Sequence, residues 1–125
     1  MKEKRILNKF SFLINNYNFI YKVHVFSSYR GFLGPMILYT FHNENGCFTI
    51  FHAVQRNEVD YYYSDIYSNS INDLTKNKIS FKEIWNNKYS RKIDRLLFEI
   101  DDLILLARYI QKQIDYEGSF FGIKV

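Results

Sequence analysis

The chain has 125 residues, 47% of them hydrophobic and 24% charged, which suits one folded domain and excludes a disordered tail or a disulfide scaffold built on its single cysteine. A formal net charge of +4 is a mild excess that excludes a strongly basic nucleic-acid arm, and no run approaches the ~18 apolar residues of a membrane span. The unusual feature is 19% aromatic content, with 11 Tyr and 12 Phe; so many phenols are easier to place on half-wet faces or contact surfaces than in a dry core.

Residues 3 to 17 carry Ile6, Phe10, Leu13 and Tyr17 at helical spacing, with Leu7 and Ile14 beside them, which predicts an amphipathic helix ending near Asn15-Asn16. The basic start is followed by polar residues where a signal peptide would be apolar, so the expected location is the cytoplasm. Tyr21 to Phe26 alternates and is rich in β-branched and aromatic residues, as a strand is. Ser27 to Pro35 reads as a loop.

MILYTFHNENGCFTIFHAV then places two β-rich runs around Asn45-Gly46, the dipeptide most tolerant of positive φ, and predicts a hairpin. With Asn45-Gly46 as a two-residue turn, Thr40 lies opposite Phe51 and His42 opposite Thr49, so Ile37, Tyr39, Phe41, Phe48, Ile50, His52 and Val54 share an apolar face. A second turn over Gln55 to Glu58 pairs Val54 with Val59. It puts Val59, Tyr61 and Tyr63 on the core side and turns Asp60 and Tyr62 to the other face, with Phe51, Ala53, Thr49, Thr40 and His42. That second face has two readings: a helix or loop partly covers it, or it is a partner-binding surface anchored by Tyr62 and Phe51 and rimmed by Glu58, Asp60 and Asp65.

The last third is helical in pattern. Ser80-Phe81-Lys82-Glu83 fits a capping box ahead of Ile84 and Trp85. From Ser90 to Gln113 an apolar stripe follows Ile93, Leu97, Ile100, Ile104, Ala107 and on to Ile114, widened by Leu96, Leu103 and Ile110, with Gly118 as the stop. Asp101-Asp102 could divide this stretch into two helices. The expected architecture is a single α+β domain over residues 1–125, with an N-terminal helix, an antiparallel meander of about four strands, and C-terminal helices packed on one sheet face.

Chemistry is sparsely signalled. His42 and His52 fall on opposite faces of the hairpin and cannot share a metal, and no HExxH, paired CxxC, phosphate loop or GxSxG is present. Cys47 could serve as a nucleophile only with His24 or His42 as its base, and carboxylates such as Glu58, Asp60 and Asp65 are common beside turns for solubility alone. Neither an enzyme, a cofactor nor a metal site is expected. Between Lys76 and Arg95 seven cations, interleaved with Trp85 and Tyr89, face only Glu83 and Asp94, which is the composition of a nucleic-acid groove. A solvated helix surface has the same composition, and Glu99, Asp101 and Asp102 just beyond would repel phosphate.

The opening NKFSFLINNYNF, the meander ILYTFHNENGCFTIFHAVQRNEVDYYYSD and the tail LLFEIDDLILLARYIQ, in that order and with a lysine, asparagine, isoleucine and tyrosine bias, resemble small immunity proteins of bacterial contact-dependent growth inhibition and related polymorphic toxin systems. The resemblance implies a cytoplasmic α+β protein that binds one cognate toxin domain and occludes its active site, with no chemistry of its own. Inhibitors of basic nucleases tend to be acidic, whereas this chain is net basic. The complementary charge would have to come locally from Glu58, Asp60 and Asp65.

Overall fold

A computed structural model describes residues 2–27, 34–80 and 98–125. Helix α1 (Lys2–Tyr17) is followed by strands β1 (Ile20–Phe26), β2 (Met36–Asn43), β3 (Gly46–Ala53) and β4 (Glu58–Ser64). A single turn of helix, α2 (Ile71–Leu74), leads to the short β5 (Asn77–Lys78), and the chain closes with helix α3 (Phe98–Glu117) and the hairpin β6 (Ser119–Phe120) and β7 (Ile123–Lys124). Strands β1 to β5 pair antiparallel in chain order, so the α+β meander expected from the sequence is present with a fifth strand added.

The predicted capping box from Phe81 on, Trp85, Lys82 to Arg95 of the basic run, and the start of the predicted Ser90 helix lie outside the described residues. From Phe98 onward α3 runs through Asp101-Asp102 without a break, because neither aspartate interrupts the backbone ladder there. Leu103, Leu106, Ile110 and Ile114 are its buried line, so the core stripe passes through Leu106, which the expected stripe omitted, and leaves Ile104 at its margin. Gly118 ends the helix as anticipated, at φ +69° with its N–H on the Ile114 carbonyl at 2.8 Å.

Helix α1 buries Ile6, Phe10 and Leu13 completely. It extends past Asn15-Asn16 to Tyr17, whose phenol accepts a hydrogen bond from Gln111 Nε2. Asn18 then takes the left-handed conformation, φ +60°, and the Phe19 N–H reaches back to the Leu13 carbonyl at 3.0 Å. That six-residue return satisfies a terminal carbonyl, and asparagine bears the left-handed geometry better than other side-chained residues.

The central hairpin forms, but two residues away from the expected register: Asn43 pairs with Gly46 and Thr40 with Thr49. The turn residues are therefore Glu44-Asn45, held by Asn45 N–H on Asn43 Oδ1 at 2.8 Å and by both asparagine amides donating to the Lys124 carbonyl. Gly46 serves close approach instead: a Cβ there would lie 2.6 Å from the Ser64 carbonyl oxygen and 2.8 Å from Ile123 Cγ1. The β3–β4 connection shifts likewise, with Val54 to Asn57 as the loop and Ala53 opposite Glu58. Because each slip is an even number of residues, every side chain keeps the face assigned to it.

One face carries Tyr39, Phe41, Phe48, Ile50 and Tyr61 under α1 and α3, with Phe10 5.3 Å from Phe48 between ring centres. The other carries Met36, Leu38, Cys47, Phe51 and Ala53, sealed by Leu74 of α2 and flanked by Phe26, Tyr62, Tyr67 and Ile71. Strand β3 is thus buried along its whole length on both faces. Among the described residues, no helix is long and apolar enough to cross a membrane.

Candidate partner-binding surface

Four of the five residues expected to form a contact surface are neighbours on one sheet face, with Phe51 paired opposite Asp60 and Glu58, Asp60 and Tyr62 alternating along β4, while Asp65 lies just past the strand's end. Phe51 is 2% exposed and belongs to the second core, because α2 and the segment before it cover that face. Tyr62 is half-buried with its ring edge-on to Phe51 at 6.0 Å, packing as part of the same cluster. The covered-face reading is therefore the one the structure follows. Phe51 is a packing residue, not a surface anchor.

Glu58 and Asp60 are successive residues on one face of β4, and Asp65 stands apart from them, past the strand's end. Glu58 begins the strand and Asp65 follows its last residue, so at ~3.3 Å per residue they stand some 20 Å apart, at opposite ends of the sheet. Asp60 pairs with Lys78 at 3.4 Å and Asp65 with Lys76 at 3.8 Å. Those two lysines are the described members of the basic run, and each is partly neutralised by a carboxylate.

Asp65 lines a cleft. Three pieces of chain converge at that end of the sheet: Asn18 and Ile20 at the entry to β1, His42 to Glu44 at the exit of β2, and Asp65 to Tyr67 after β4. They enclose an open cleft of about 570 Å³. They meet there because β1 and β4 flank the β2–β3 hairpin and both have an end beside its turn. Asp65 and Glu44 supply negative charge, while Ile20 and Ile66 leave 51% and 47% of their surface in solvent.

Tyr67 forms the polar floor. Its ring lies parallel to His42 at 3.5 Å, and its hydroxyl shares a 2.8 Å hydrogen bond with His24 Nε2. Desolvation, and then the charge of Lys22, lowers the pKa of both His24 and His42; the neighbouring His24 adds to the effect on His42. Burial raises that of Tyr67. The trio is neutral near pH 7. Among the described residues, no side chain or backbone group hydrogen-bonds the buried His42 Nε2.

Cys47, across from His42 in the hairpin, turns its thiol toward Thr49 Oγ1 and the Phe48 carbonyl. Burial pushes its pKa up to about 11, so at neutral pH the sulfur is protonated and poorly nucleophilic. His42 and His52 project from opposite faces, as the alternation required. Among the described residues, no group of three histidine, cysteine, aspartate or glutamate side chains has metal-holding geometry.

Of the cleft residues only Asp65 was in the expected contact set; Ile20, Glu44, Ile66 and Tyr67 were missed, Tyr67 most completely. It sits in a stretch, SDIYSNS, without helical or strand periodicity, and nothing in the spacing announces that its ring returns to the sheet. No protein-family model, curated protein or solved structure matches the chain.

Proposed function

We propose that the protein is a binding inhibitor of the immunity type, which neutralises a cognate bacterial toxin domain by covering its active site and performs no chemistry itself. The observation that supports this reading is the cleft beside the β2–β3 turn, where exposed Ile20 and Ile66 flank the carboxylates of Glu44 and Asp65 over a tyrosine-lined floor. Apolar area next to aromatic surface and unburied acids is a contact composition: the former supplies affinity, the latter orientation and association rate. A net basic chain would in this way still offer a toxin domain local carboxylates, Glu44 in full and Asp65 shared with Lys76 at 3.8 Å. The contact centre moves from the middle of β4 to its end, with Asp65 retained from the expected set.

The test is binding by calorimetry, with growth protection in parallel, using the C-terminal domain of the large protein encoded beside this gene. A one-to-one complex is expected, and Glu44→Lys with Asp65→Lys should weaken it by more than about tenfold and abolish protection while the domain stays folded. A metabolic enzyme as the neighbour, or a complex indifferent to the double charge reversal, overturns the proposal.

A further inference from the structure

Strand β1 is an outer strand of the five-stranded sheet, and among the described residues no strand pairs with its far side. Its partner β2 takes the even-numbered residues: the Thr40 hydroxyl donates to the Lys22 carbonyl at 2.8 Å, so Lys22 directs its backbone groups inward. N–H and C=O of one strand residue point the same way, and the direction alternates. Tyr21, Val23 and Val25 therefore present three N–H and three C=O groups outward. The opposite outer strand, β5, is only Asn77–Lys78, too short to template anything, whereas β1 has seven residues. Val23 and Val25 are 40% and 66% exposed, and β1 contains no proline or acidic residue.

We infer that β1 is a self-pairing edge, through which two copies of the chain join by antiparallel β1 strands centred on Val23 and extend one sheet across both. Read against its own reverse, the strand is complementary. Tyr21 meets Val25, Val23 meets Val23, and all six outward backbone groups find partners in that register. Ile20 meets Phe26, so each aromatic ring lies against a branched aliphatic, a favourable cross-strand pair. Lys22 meets His24 and never a second lysine. Burial holds the His24 imidazole below its ordinary pKa, so that pair carries no like-charge repulsion at neutral pH. A second copy fits where an arbitrary strand would not, because the only cation of β1 is placed opposite a neutral ring. The interface is one strand pair and falls in the small, reversible class. This inference is independent of the proposed inhibitor function.

Sedimentation velocity on the full chain from ~10 to ~500 µM, the range in which small interfaces of this class assemble, should move the mass from 15.2 kDa toward twice that value. Val23→Pro removes an outward donor from each copy, two of the six bonds, and should weaken association by more than about tenfold with the circular dichroism spectrum retained. Under mild oxidation Val23→Cys should give a covalent dimer, since opposed residues place their Cα atoms within disulfide reach, and Lys22→Cys should not. A wild-type mass constant over the whole range overturns the inference. So does Val23→Cys crosslinking no better than Lys22→Cys, a readout that holds even where Val23→Pro unfolds.

Discussion

Phe51→Ala separates a core residue from a contact residue on the second sheet face. The side chain is 2% exposed, meets Tyr62 edge-on, and shares its cluster with Leu38, Met36 and Leu74. Returning a buried ring to water costs about 2 kcal/mol, and a residual cavity of up to roughly 100 Å³ at ~24 cal/mol per Å³ adds about another 2 kcal/mol. The total of ~4 kcal/mol is a large part of a domain's usual 5–15 kcal/mol. Unfolding entropy of ~2.1 cal/mol/K per residue over 125 residues is ~0.26 kcal/mol/K, so the midpoint should fall by about 15 °C. Asp65→Lys is the control: its carboxylate side chain is 81% exposed and meets Lys76 at 3.8 Å, a pair worth no more than about 1 kcal/mol, or ~4 °C. Thermal melts followed by circular dichroism read both. A Phe51→Ala shift no larger than that of Asp65→Lys would refute the assignment of this face to the core.

Three further outcomes follow from particular atoms. Gly46→Ala should lose about 1–3 kcal/mol in urea denaturation, because the new methyl would meet backbone oxygen at Ser64, which cannot rotate away; an unchanged midpoint would mean β3 and β4 are not that close. Stability should fall as pH drops below about 6.5, since His24 and His42 have lowered pKa values in the fold and the unfolded chain then binds more protons; above that pH both states are neutral there and the contribution is intact. His42→Phe keeps the ring stack on Tyr67 and should flatten that slope, and a slope steeper than wild type would contradict it. Gel-shift titrations with RNA and DNA should show no salt-sensitive binding, given Lys76 and Lys78 already facing Asp65 and Asp60; a steep salt dependence would revive the basic segment as a groove.

The parts of the fold legible in the sequence were those with enough periodic residues to outvote accident. Ile6, Phe10 and Leu13 mark one helix face, and the alternation from Ile37 to Tyr63 fixes which side chains share a side even though both turns were placed two residues off. Asn45-Gly46 misled because the glycine answers to a long-range neighbour, Ile123, and to the Ser64 backbone, neither of which a local turn rule contains. The sequence left the second face open between a covered and a partner-binding reading because its cover is one helical turn, Ile71–Leu74, and a lone Tyr67, too little for any periodicity to register. Phe121 and Gly122, at φ +49° and +79°, make a tight turn at the C-terminal hairpin from a phenylalanine that no turn preference would nominate. Of the three acids close in the sequence, Glu58 and Asp60 stay neighbours on β4, but extended chain carries Asp65 to the far end of the strand.

The cleft and the β1 edge share a corner, and that makes their occupancies interdependent. Ile20 is both a cleft residue and the first residue of β1, and in the self-paired strand Phe26 of the second copy lies opposite it. A toxin domain seated against Ile20, Asp65 and Glu44 would meet that second Phe26 ring before it reached Tyr67. Two ligands that cannot occupy one corner together compete, and each lowers the apparent affinity of the other by the same factor. If the proposed toxin domain is the tighter partner it displaces the second copy, so sedimentation of a mixture at ~500 µM should show one copy of this chain per toxin domain and no doubled species, the small interface yielding first. A complex containing two copies of this chain joined through β1, with both clefts filled, would show that the corner accommodates both and that the two surfaces act separately.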